Sequence, residues 1–190
     1  MKLIQTAIPD VVIIEPQVFS DERGWFMESF NEKRFHAELN KLELDMPRPF
    51  VQDNHSCSSK GVLRGLHFQT APHAQGKLVR VVKGAAFDVA VDIRKYSETY
   101  GQHVSIELSA GNQKMFWVPE GFAHGFVALE DDTHFLYKTT DYYAKDCEGA
   151  IVWSDPDLNI QWPIIAGLNE LLVNDKDLEA FPFSVRDMHF

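Results

Sequence analysis

His67 stands in an unusual setting, the stretch Gly61-Val62-Leu63-Arg64-Gly65-Leu66-His67-Phe68-Gln69, where apolar residues and glycines surround one imidazole and one guanidinium. A core histidine beside a surface arginine would account for this stretch taken alone. The functional reading is a general base next to an anion clamp, because an imidazole titrates near pH ~6.5 and so exchanges protons at working pH. Three further stretches place reactive side chains where packing alone does not ask for them. Pro119-Glu120-Gly121-Phe122-Ala123-His124-Gly125-Phe126 carries a second histidine. Phe135-Leu136-Tyr137-Lys138, followed by Asp141-Tyr142-Tyr143, offers phenols. Strands favour aromatics for packing, yet a tyrosine in a closed site also donates a proton to a developing carbanion. Val173-Asn174-Asp175-Lys176-Asp177 reads as a solvated turn or as the source of a carboxylate that holds a histidine tautomer.

Those side chains need strands to carry them. Phe87, Val89, Val91 and Ile93 alternate with Asp88, Ala90 and Asp92, and Val104, Ile106 and Leu108 alternate with His103, Ser105 and Glu107, which is strand periodicity with one apolar face. Leu78 to Val82 ends at Lys83-Gly84, Phe116 to Val118 ends at Pro119-Glu120-Gly121, and Thr133 to Thr139 is rich in aromatic and β-branched residues. Many short strands at this spacing predict an all-β sandwich or barrel, with ligands expected in the barrel mouth. Helix is expected only at the flanks, from the N-cap Asn31 through Phe35 and Leu39, and as a short piece in the tail after Pro163. The architecture expected is mainly β, a double-sheet antiparallel barrel or jelly roll with short flanking helices. It forms one domain over 1–190, with N-terminal strands and helix in 1–44, a barrel core over roughly 45–163 and a C-terminal segment over 164–190.

Composition narrows the function. With 190 residues, 45% of them hydrophobic, the chain is long enough to bury a core of its own. The formal net charge of −10 works against nucleic acid and anionic membranes as partners, so an anionic substrate needs a local basic cluster. Cys57 and Cys147 form no C-x-x-C pair, and no segment is apolar enough for a signal peptide or a membrane span. A protein of the reducing cytoplasm with free thiols is the expectation.

Upstream, Phe19-Ser20-Asp21-Glu22-Arg23-Gly24-Trp25-Phe26-Met27-Glu28 combines a plausible turn with an arginine among aromatics, which would suit a nucleobase and a phosphate. Phe50-Val51-Gln52-Asp53-Asn54 puts two amides on one strand face, suited to a polar ligand or to a plain solvent edge. The spacing Pro119-x-Gly121-x-x-His124 resembles the second motif of the cupins. The first cupin motif wants two histidines one residue apart; His67-Phe68-Gln69 retains one, which speaks against a bound metal.

Taken together, these stretches, with Gln75 to Arg80, Phe87 to Arg94, Glu148-Gly149, Gln161-Trp162-Pro163 and Lys176-Asp177, resemble the dTDP-4-dehydrorhamnose 3,5-epimerases of deoxysugar biosynthesis from about Ile4 to Asp177. The loop around Lys41 to Arg48 and the last dozen residues look particular to this chain. The resemblance implies a metal-free, cofactor-free, cupin-like homodimer acting on dTDP-4-dehydro-6-deoxy-D-glucose. It implies His67 as base, Asp177 as its carboxylate partner, Tyr137 as the acid of the opposite face and Lys77 beside the enolate oxygen. Arg23, Glu28, Gln52, Asn54 and Arg64 match nucleotide and diphosphate contacts, and His124, Tyr143, Glu148 and Lys176 match further substrate contacts. A 3-only epimerase or a 3,4-ketoisomerase is the rival within the class. Outside it stand a non-catalytic sugar-nucleotide binder, which would have lost the acid or the base, and a metal-dependent cupin oxygenase.

Overall fold

The structure is a computed structural model that describes residues 1–185; the end of the expected C-terminal segment lies outside the described residues. Strands β1 (Lys2–Gln5) and β2 (Val12–Glu15) form a hairpin, and β3 (Val18–Asp21) and β4 (Gly24–Met27) form another. Helix α1 (Glu32–Lys41) follows. Then come β5 (Gln52–Ser58), β6 (Leu63–Gln69), β7 (Lys77–Lys83), β8 (Ala85–Asp92), β9 (His103–Ser109), β10 (Met115–Val118), β11 (Phe122–Ala128), β12 (Thr133–Thr139) and β13 (Glu148–Ala150). A single turn of helix, α2 (Asp175–Leu178), lies near the end.

A six-stranded sheet, ordered β1-β2-β10-β7-β12-β5, faces a five-stranded sheet, ordered β13-β6-β11-β8-β9, and every pairing within them is antiparallel. The two sheets do not join into one closed barrel. The double-sheet jelly roll expected from the sequence is therefore the right description. Ile8, Val11, Val79, Val81, Leu108, Phe116, Phe122 and Phe135 fill the space between the sheets.

The alternation in β8 has a different meaning from the one its pattern implies. Its apolar row, Val89 and Val91, continued by Ile93 just past the strand, packs outward against Leu158, Ile160, Trp162 and Phe183 of the chain after β13. Ala86 and Ala90 face the other sheet, and Asp88 and Asp92 are fully buried. Both faces of this strand are covered, so its acids are inside. On the six-stranded sheet, α1 covers the outer face. The Asn31 side chain accepts from the Arg34 backbone N–H at 3.0 Å, capping a free helix donor, and Phe35 and Leu39 bury against Leu78, Met115 and Trp117.

Candidate active site

In a regular strand, residues three apart point to opposite faces, so Arg64 and His67 should not share a cavity. A bulge in β6 changes that. His67 pairs with His124 and Arg64 with Phe126, so three steps on β6 oppose two on β11. The extra residue is absorbed at Gly65, whose φ of +142° and close approach to Gly125 exclude a side chain: a Cβ there would lie 2.5 Å from the Gly125 Cα. Beyond the bulge Leu66 and Phe68 pack outward, while Arg64, His67 and Gln69 line one cavity of about 270 Å³ between the sheets.

The carboxylate that His67 needs arrives from far along the chain. Leu172 lies beside β6, with the Leu63 N–H donating to the Leu172 carbonyl at 2.9 Å and the Leu172 N–H to the Gly61 carbonyl at 2.8 Å. The chain then turns through α2, where the Asn174 side chain caps the Asp177 N–H at 2.8 Å. Asp177 is fully buried, with Oδ1 2.6 Å from His67 Nε2 and Oδ2 accepting from the Gly65 N–H at 3.1 Å. Burial alone would raise its pKa, but the hydrogen bonds from His67 and Gly65 and the charge of Lys176 outweigh that and hold the carboxyl below its ordinary value. An ionised carboxylate only accepts, so the proton of a neutral His67 sits on Nε2 and Nδ1 is left as the basic atom.

The facing wall comes from the six-stranded sheet. Lys77 opens β7, is 7% exposed, and donates from Nζ to the His67 carbonyl at 3.1 Å. Burial pushes its pKa down to about 8, against the opposing pull of Asp88 and Glu148. Tyr137, on β12, lines the same cavity; burial raises its phenol, with Arg64 pulling the other way and Glu148 adding to the rise. Behind these, the stacked rings of Phe126 and Phe135, 4.0 Å apart, bridge the two sheets.

The rim is tied by hydrogen bonds. Tyr143 donates to Glu148 Oε2 at 3.0 Å, and Lys176 meets the same oxygen at 2.7 Å. Gln52 accepts from the Tyr143 N–H at 3.1 Å and donates to Asn54 Oδ1 at 3.0 Å. Asn54 pairs in register with Tyr137. His124 lines the cavity and meets Asp88 Oδ1 through Nε2 at 2.8 Å. Thus His67, Asp177, Lys77, Tyr137, Arg64, His124, Tyr143, Glu148 and Lys176 form one group, with Gln52 and Asn54 adjoining it.

Arg23 and Glu28 are not brought to this cavity. Arg23 sits at the tip of the β3–β4 hairpin, largely exposed and paired with Asp21, while Glu28 pairs with Arg34 at 3.1 Å and accepts from Asn31. Arg23 belongs to a hairpin that, among the described residues, joins neither large sheet, and Glu28 directly follows it. Sequence reasoning singled out neither Asp88 nor Gln69. Gln69 donates to the carbonyls of His73 and Tyr142 and accepts from the Ala144 N–H, shaping the Tyr143 loop. An acid flanked by Phe87 and Val89 was the signal available for Asp88. Cys57 and Cys147 are both free. Among the described residues, no group of three or more His, Cys, Asp or Glu is arranged to hold a metal, and no helix is long and apolar enough to cross a membrane.

Comparison with known proteins bears on the whole assembly. The family model for dTDP-4-dehydrorhamnose 3,5-epimerase matches residues 5–184. The dTDP-4-dehydrorhamnose 3,5-epimerase of Shigella flexneri is 55% identical over 184 residues, covering 96% of each chain. Among solved structures, the dTDP-4-dehydrorhamnose 3,5-epimerase of Elizabethkingia anophelis NUHP1 superposes with a TM-score of 0.88 at 48% identity, over 97% of both chains. The dTDP-6-deoxy-D-glucose-3,5-epimerase of Legionella pneumophila, in complex with dTDP-4-keto-L-rhamnose, gives 0.89 at 47% identity, over 98% of this chain and 94% of that one. With a family model matching nearly its full length and an imidazole, a phenol and a buried ammonium converging on one cavity, this chain belongs to the dTDP-4-dehydrorhamnose 3,5-epimerase family.

Proposed function

We infer that this chain epimerises C3 and C5 of dTDP-4-dehydro-6-deoxy-D-glucose, giving dTDP-4-dehydro-L-rhamnose. The observation that carries the reading is the opposition of two walls: the His67–Asp177 pair on the five-stranded sheet and Tyr137 on the six-stranded sheet line one cavity. The 4-keto group acidifies the hydrogens on both neighbouring carbons, so each inversion is a removal and a return of a proton with no change of oxidation state. His67 Nδ1 takes the proton, and the C–H electron pair moves into an enolate whose oxygen is met by the Lys77 ammonium. Tyr137 then returns a proton to the opposite face. The raised pKa of Tyr137 keeps it in the acid form, and Lys77, with its value near 8, is mostly charged at neutral pH. A general base of this kind contributes about 10²–10⁴-fold, and one fixed donor at the enolate oxygen about 3 kcal/mol.

Arg64 supplies the charge-assisted contacts for the diphosphate, overcoming the acidic net charge locally. Gln52, Asn54, His124, Tyr143, Glu148 and Lys176 hold the remainder of the substrate. The active unit is a homodimer. Arg23 and Glu28 lie outside the cavity of their own chain, on and just after a hairpin that exposes Phe19, Trp25 and Phe26, a surface that a second copy would cover. The two free thiols fit a cytoplasmic enzyme, and the chain works as one domain. Proton NMR in D₂O with the keto-sugar nucleotide tests the reading. Deuterium should enter both C3 and C5 with the wild type and neither with His67→Ala; exchange at C3 alone would make this a 3-epimerase.

A further inference from the structure

The loop around Lys41 to Arg48, which looks particular to this chain, lies between α1 and β5 and ends on a guanidinium that reaches three other loops. Arg48 Nε donates to Glu120 Oε1, in the turn between β10 and β11, at 2.9 Å. Its Nη1 donates to Asp141 Oδ2, just past β12, at 3.1 Å, and its Nη2 donates to the Ala74 carbonyl between β6 and β7. A single exposed ion pair would do little. One planar fork bonded to three loops holds them in one arrangement, which a flexible ammonium could not do.

Two of those loops reach the cavity, although Arg48 itself does not line it. Gln75, next to Ala74, lines the cavity and donates from Nε2 to the Asp141 carbonyl at 2.8 Å. Asp141 Oδ1 accepts from the Tyr142 N–H at 2.7 Å, and Tyr143, the next residue, lines the cavity and donates to Glu148. His73 Nδ1 lies 3.3 Å from the same Asp141 oxygen that Arg48 meets. Glu120 Oε1 also accepts from Thr140 Oγ1 at 3.1 Å, so the residue before Asp141 is held as well. Tyr143 is 56% exposed, so packing does little to fix it and the hydrogen bonds of its loop set its place at the cavity. Gln52 and Gln69 supply some of those bonds from the strands, and Arg48 supplies the anchor from outside the cavity.

We propose that Arg48 is a positioning residue of the site: without touching substrate, it fixes the 141–143 loop through Asp141 so that Tyr143 meets the bound sugar nucleotide. The identity of that substrate rests on the epimerase reading; the clamp does not.

The two can be tested separately. Hydrogen–deuterium exchange read by mass spectrometry should show residues 140–144 exchanging about tenfold or more faster in Arg48→Ala than in wild type, with β8 unchanged. Steady-state assay on dTDP-4-dehydro-6-deoxy-D-glucose should show KM raised about three- to tenfold and kcat within about twofold, the signature of lost binding rather than lost chemistry. In a Tyr143→Ala background the same Arg48→Ala step should change KM by less than about twofold, because the ring it positions is gone. A purely structural role would lower the melting temperature and leave KM per folded molecule at its wild-type value. If Arg48→Ala fails to fold, Arg48→Lys, which keeps the charge but not the fork, makes the same comparisons. Unchanged exchange, an unchanged KM, or costs that multiply in the double variant overturn the proposal. Faster loop exchange in Arg48→Ala, beside a wild type that moves no hydrogens at C3 or C5, would instead overturn the epimerase reading and leave the clamp standing.

Discussion

The space between the sheets has two halves, built from the same strands and the same alternation, that do opposite work. Along β7 the inward series runs Lys77, Val79, Val81; along β12 it runs Phe135, Tyr137; along β11 it runs Phe122, His124, Phe126. One half is closed and dry around Ile8, Leu108 and Phe116, none more than 1% exposed. The other opens to solvent and gathers two histidines, two acids, two lysines, two phenols and an arginine. The difference teaches that the fold's stability and its chemistry are separable by position along a strand. The dry half holds the sheets together by burial, while the open half tolerates buried charge at a cost the dry half offsets.

The largest expected effects test this separation. His67→Asn should lower kcat by about 10²–10⁴-fold while the melting temperature stays within about 3 °C of wild type, checked by steady-state assay and calorimetry. Phe116→Ala should do the reverse, removing about 3–5 kcal/mol of stability in denaturant titration while kcat per folded molecule stays within about twofold. Lys77→Met falls between: kcat drops about 10²-fold for loss of one donor at the enolate oxygen, and stability at pH 7 rises. The sign follows from linkage. A lysine at about 8 folded and near 10.5 unfolded costs stability fully below pH 8, and that cost fades as pH climbs toward 10.5. Urea titrations across that window should therefore show wild type gaining roughly 3 kcal/mol on Lys77→Met.

Smaller effects lie at the acid end and the rim. Asp177 has a lowered folded pKa, so its contribution is present above the unfolded carboxylate value and is lost as pH falls through the folded one. Wild type should lose stability below about pH 4, and Asp177→Asn should lack that part of the slope. Tyr143→Phe, which removes the hydrogen bond to Glu148 at the exposed rim, should raise KM by no more than about tenfold and leave stability unchanged within about 0.5 kcal/mol.

Much of this was legible in the residues. Thr133 to Thr139 reads as a strand from its β-branched and aromatic content and is β12 residue for residue; Asn31 caps α1 as its side chain dictates. Asp21 to Gly24 reads as a turn and is the tip of the β3–β4 hairpin. His67 stands out because an imidazole in an apolar, glycine-punctuated strand needs a reason. What lay beyond pattern was long-range or off-period. Asp177 meets His67 across a separation of 110 residues, and no local rule pairs them; only the family resemblance did. Arg64 and His67 share a cavity through a bulge that breaks the two-residue period. Alternation along β8 marks one face apolar without revealing that the chain after β13 covers that face and that the face bearing Asp88 is buried as well.

The central claim is that a base on one sheet and an acid on the other address opposite faces of the sugar ring. Tyr137→Phe incubated with the substrate in D₂O and followed by proton NMR tests it most directly. His67 should still remove protons and return solvent deuterons to the same face, so deuterium should enter the substrate with its starting configuration retained at one or both carbons. Inverted product forming from Tyr137→Phe at the wild-type rate would contradict the account.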